Sequence, residues 1–201
     1  MTKKEIVNIE KFYKKLWLYK SFLYHNVEFY TKKKIDEQTK YIINALNIKK
    51  RNKRIEYVFD RACDLLDNQN KGINICGFKD CKCWVQQELN NGTKCGCCRL
   101  CIYATENGCP SQNVACKLFN CSEVTKRYKV LTYKDLKILK VLGLYQRVFI
   151  KHNYFTIRED ALKDLYSYSL VYSTIRLLYR IIRNLILLKK QGNWNHKLTG
   201  R

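Results

Sequence analysis

Ten cysteines crowd one part of the chain: Cys76, Cys81, Cys83, Cys95, Cys97, Cys98, Cys101, Cys109, Cys116 and Cys121. No histidine lies among them. Thiolates are soft ligands, so an all-cysteine set selects tetrahedral zinc or an iron–sulfur cluster over calcium or magnesium, which need oxygen donors. Ten sulfurs exceed the four of one mononuclear site, and the expectation is one or two centres, each zinc or a [4Fe–4S] cluster. Cys95, Cys98 and Cys101 have the C-x2-C-x2-C spacing of a cluster-binding turn, and Cys109-Pro110 follows with a gap longer than that of ferredoxins. Cys76 with Cys81 and Cys116 with Cys121 form two short-spaced pairs that bracket the segment, the arrangement of a structural zinc. Cys83 and Cys97 fit either set.

The electrostatics of the segment suits thiolates. Four thiolates around a divalent metal carry a net charge of about −2. Lys79, Lys82, Lys94, Arg99 and Lys117 interleave the cysteines, where they offset that charge and lower thiol pKa values. Cys63 stands apart in "YVFDRACDLL", where a helix is expected and a small buried hydrophobe is the better reading.

From Cys95 to Cys121 the pattern is similar to small bacterial CxxCxxCC proteins described as zinc- or iron-chelating (the YkgJ type). Cys97, Cys98, Cys101, Cys109 and Cys116 occupy matching places, with Lys117 and Phe119 following as the basic and aromatic residues. Gly92 stands where that family's opening motif has its first cysteine. The resemblance implies metal chelation by these cysteines rather than a defined reaction.

Other chemistry has little footing. His25, His152 and His196 are scattered, and no glycine-rich phosphate loop or Cys/His nucleophile pair is visible, so the reading leans away from an enzyme. The 39 Lys and Arg against 17 Asp and Glu give a formal charge of +22, which draws a protein toward nucleic acid or an anionic membrane. Composition moderates this, because abundant Lys, Ile, Asn and Tyr with a single Pro is the bias of an AT-rich genome. The densest basic run, "KKRNKR", makes Lys49, Lys50, Arg51, Lys53 and Arg54 the candidate nucleic-acid contacts, with a solvated helix-connecting turn as the alternative.

The elements that must position these groups are helical. Ile6, Ile9, Phe12, Tyr13, Leu16, Tyr19, Phe22 and Leu23 recur at helical intervals after the capping-box pair Thr2 and Glu5. Further helices are expected over Lys33 to Leu46 and Arg54 to Leu66. Thr132 with Asp135 and Thr156 with Glu159 mark two more helix starts, and from Glu159 the last helix can run to about Lys190. On it Arg176, Arg180 and Arg183 share a stripe, read as the wet face of a core helix or as contacts to an anionic membrane surface or a protein partner. The longest uncharged stretch there, Leu165 to Ile175, is too short to span a bilayer. The N-terminal residues lack an apolar signal core, which points to a reducing cytoplasm.

The expected protein is mainly α: N-terminal helices over residues 1–71, a loop-rich metal-binding insert over 72–122, and C-terminal helices over 123–201 packing with the first set. Its expected function is metal binding with a basic surface, as a nucleic-acid or protein binding module. The alternatives are an iron–sulfur electron carrier and a protein that binds membrane surfaces or partners.

Overall fold

A computed structural model describes residues 3–69, 103, 112–120, 122–167 and 169–190. The chain is mainly helical, with one small parallel sheet among the described residues. Strands β1 (Lys3–Ile6) and β2 (Val27–Tyr30) pair in register from Lys3 with Val27 to Ile6 with Tyr30. Helix α1 (Phe12–Ser21) is the crossover that a parallel pair requires. Glu5 therefore lies in a strand, and the helix expected from the first residues begins only at Phe12. Pairing with a strand more than twenty residues away satisfies the backbone of residues 3–6, and such non-local support overrides local helical spacing. Within α1 the expected face holds: Phe12, Leu16 and Tyr19 are buried.

Helix α2 (Glu37–Asn47) starts later than residue 33 because Asp36 caps it. The Asp36 carboxylate accepts from the Thr39 amide at 2.9 Å and the Thr39 hydroxyl at 2.6 Å. Burial alone would raise the Asp36 carboxyl, but these two bonds hold it below the usual carboxylate range. Helix α3 (Arg51–Gln69) extends beyond its expected ends on both sides and buries Ile55, Val58, Phe59, Ala62, Cys63 and Leu66.

Chain order continues with α4 (Val114–Leu118), α5 (Ser122–Arg127), a 3-10 helix (Lys137–Val141), α6 (Leu144–His152), α7 (Arg158–Tyr166) and α8 (Leu170–Lys190). The Thr132 and Asp135 spacing marks a turn rather than an α-helix: the Asp135 carboxylate accepts from the Thr132 amide and hydroxyl, and the 3-10 helix follows. Near Thr156 a helix does begin, at Arg158, but Thr156 itself is fully buried and does not cap it.

One hydrophobic core draws on both flanks of the cysteine segment. Phe12, Phe29, Ile42, Leu46 and Ile55 from the first flank meet Leu136, Ile138, Leu139, Ile150 and Leu165 from the second, all essentially inaccessible to water. Polar clamps reinforce the junctions. Lys20 donates to the carbonyls of Lys140 and Leu142, both at 3.0 Å, closing the end of the 3-10 helix on α1. Arg158 forks onto Asp60 with two 2.7 Å bonds and reaches Glu56 at 3.1 Å, tying α7 to α3.

The long last helix is broken. Ser167 is extended and ends α7, and Ser169 accepts the Tyr172 amide at 3.2 Å to begin α8. Serine side chains that compete for backbone groups favour such a break.

Candidate functional site

The one candidate metal ligand among the described residues is Cys116, half-buried on α4. Cys76, Cys81, Cys83, Cys95, Cys97, Cys98, Cys101, Cys109 and Cys121 lie outside the described residues. Among the described residues no group of three or more metal-ligating side chains is assembled. What is described is the frame at the two ends of the cysteine segment.

The return end is fixed by Asn113. Its side-chain oxygen accepts from the amides of Ala115 at 2.8 Å and Cys116 at 3.3 Å, which caps α4. Its amide nitrogen donates to the carbonyl of Thr156 at 3.2 Å, and the residue is buried. Val114 and Ala115 anchor the same turn in the interior. Phe119 stacks edge-on against Tyr154 with ring centres 5.9 Å apart. Burial raises the Tyr154 phenol above its ordinary pKa, and negative charge on the Cys116 sulfur acts in the same direction.

The departing end is fixed by the last turn of α3. Gln69 uses both ends of its amide on one strand of chain, donating to the Lys129 carbonyl at 2.9 Å and accepting from the Leu131 amide at 2.8 Å. Two residues earlier, Asp67 meets Lys117 at 2.5 Å. The segment thus leaves α3 and comes back onto α3. Cys63, one turn before Asp67, is buried, and its thiol is pushed up to about 12 by burial, with the Lys117 charge acting in the opposite direction. A thiol so placed stays protonated at neutral pH and packs as a small hydrophobe, as its helical context predicts.

The basic run 49–54 joins α2 to α3. Arg54 is buried and donates to the carbonyls of Ile48 at 2.6 Å and Lys49 at 3.3 Å. Lys49 donates to the Val27 carbonyl, and Arg51 to the Tyr166 carbonyl at 2.9 Å. Lys50 and Lys53 are exposed, the latter 3.3 Å from Glu56. Three of the five candidate nucleic-acid contacts therefore also serve the chain's own carbonyls, Lys49 at the start of β2 and Arg51 and Arg54 at helix ends where partial negative charge gathers.

The arginine stripe of α8 splits. Arg176 Nε lies 2.9 Å from Asp164 Oδ1, and Arg180 pairs with the other oxygen of the same fully buried carboxylate. Arg183 alone of the three is exposed. In an unbroken helix twelve residues would separate Asp164 and Arg176 by about 18 Å, so the break between α7 and α8 is what joins them. Tyr145 completes the network, bonding the Asp164 carbonyl at 3.0 Å and the Ser173 hydroxyl at 2.7 Å. Spacing alone showed the stripe; which way it points depends on the break, for which "YSYS" was the available signal.

His25 and His152 are exposed and distant in sequence from Cys116, and His196 lies outside the described residues. A cleft of about 370 Å³ opens at the carboxyl ends of the two strands, lined by Ile6, Val7, Ile9, Glu10, Thr31 and Lys33. Its one carboxylate, Glu10, is paired to Lys33 at 3.0 Å, which leaves no nucleophile and base side by side. No family model, curated protein or solved structure matches the chain.

Proposed function

We propose that the protein is a metal-binding module in which the cysteine segment folds around zinc or an iron–sulfur cluster on a preformed helical base. The single observation that carries this reading is the closure of the segment's two ends by Asp67 with Lys117. A base that holds the ends together lowers the entropy cost of ordering the residues between them, and metal binding supplies the remaining free energy. Cys116, held half-buried on a capped turn, is the ligand whose position the base sets directly. The similarity of Cys97, Cys98, Cys101, Cys109 and Cys116 to the chelating CxxCxxCC pattern supports the same chemistry. Nucleic-acid binding through residues 49–54 draws less support, since Lys49, Arg51 and Arg54 donate to carbonyls.

Anaerobic purification without chelator, followed by zinc, iron and acid-labile sulfide analysis, tests the proposal. One or two zinc per chain makes the segment a structural centre. About four iron with matching sulfide and visible colour makes it a redox centre. A chain with neither metal refutes the proposal.

A further inference from the structure

Helix α8 turns an apolar face to solvent. Among its described side chains the buried ones are Ser173, Arg180 and Asn184, with Leu177 partly buried against the core, whereas Val171, Ile175, Leu178, Ile182, Leu185 and Ile186 are 37% to 69% exposed. A helix that meets only its own core and water is polar on its outer face. The first five of these residues follow one another at steps of four and three, which puts them within an arc of about 80° along roughly 20 Å of helix. Tyr172 and Tyr179 stand exposed beside them. The inward turn of Arg176 and Arg180 toward Asp164 is what leaves this face apolar.

Charge decides what covers it. The described α8 sequence, LVYSTIRLLYRIIRNLILLKK, has no acidic residue, and Arg183, Lys189 and Lys190 are exposed. The chain as a whole carries +22. A second copy would bring together two helices of like charge with no carboxylate between them. An anionic lipid surface takes the same apolar face and neutralises the cations at its margin. No helix among the described residues is long and apolar enough to cross a membrane, so the contact is one of lying on the surface.

We propose that α8 docks lengthwise on an anionic membrane surface, with its Val171 to Ile186 face among the headgroups and acyl ends. Tyr172 and Tyr179 sit at interface depth, and Arg183, Lys189 and Lys190 meet lipid phosphates. This inference is independent of the metal reading.

Co-sedimentation of the full chain with phosphatidylcholine vesicles, with and without phosphatidylserine, tests it. Binding is expected only with phosphatidylserine and is expected to weaken as salt rises. The double variant Ile175→Glu, Ile182→Glu should lower binding about tenfold or more while its thermal melt matches the native one, because both side chains face outward. Undiminished binding by that variant, equal binding to neutral vesicles, or no binding at all overturns the proposal. So does dimerisation that the variant abolishes in a protein that ignores vesicles, for then a second copy covers the face.

Discussion

The ammonium of Lys117 lies 2.5 Å from a carboxylate oxygen of Asp67, fifty residues earlier in the chain. This pair closes the excursion that contains all the cysteines of the segment except Cys121, and the lysine is the less exposed partner. Lys117→Ala should cost about 1 kcal/mol of stability, and a double-mutant cycle with Asp67→Ala should return a coupling of about 0.5–1 kcal/mol. Urea denaturation measures both. A coupling of zero would mean that the two side chains do not act together.

Cys63 should resist thiol reagents until the protein unfolds, because burial raises its pKa to about 12. The raised value also sets a pH dependence. The folded state favours the protonated thiol, so this contribution is complete below the ordinary thiol value of 9.0 and is lost as pH climbs toward 12. Mass spectrometry after iodoacetamide pulses at increasing urea should show Cys63 modified only along the global unfolding curve; labelling in native buffer would contradict its placement.

Asp164 is a buried carboxylate between two guanidinium groups. Its replacement by Ala leaves Arg180 buried without its counter-charge, with an expected cost of roughly 3–5 kcal/mol. Replacing both members, Asp164→Leu with Arg180→Met, should cost less than the single change, since a buried pair exchanges for apolar packing at small net cost. Thermal melts of the two variants check the order.

Asn113 satisfies two amides of α4 and donates to the Thr156 carbonyl from a buried position. Asn113→Ala should lower stability by about 2 kcal/mol, more than an exposed cap would, because the Thr156 carbonyl is left without this donor. Asn113→Asp keeps the cap and removes the donor, so its stability should fall between those of native and Ala protein. A chemical-denaturation series over the three proteins reads this directly.

Helical periodicity was legible where each helix buries an apolar stripe. Phe12, Leu16 and Tyr19 in α1, and Ile55, Val58, Phe59, Ala62 and Leu66 in α3, recur at steps that only one helix face can bury. The strands were less legible, being four residues each. For β2 the alternation of buried Val27 and Phe29 with exposed Glu28 was a usable sign, but β1 reads as a strand only beside its partner. The cysteines and their spacing were legible, and among the described residues the tertiary structure adds the placement of Cys116 and of the two clamped ends.

Ligand softness, net charge and amphipathic period are additive properties of residues and their spacing, and the sequence by itself determined these. Direction was decided by the tertiary structure. Arg176 and Arg180 face inward and Ile175, Ile182 and Ile186 outward because a break between α7 and α8 lets the helix fold back onto a buried carboxylate. Arg54 and Lys49 serve carbonyls because the ends of α2 and β2 come within their reach. In both cases a charged side chain takes the partner that burial leaves without water, and which partner that is depends on contacts far apart in sequence.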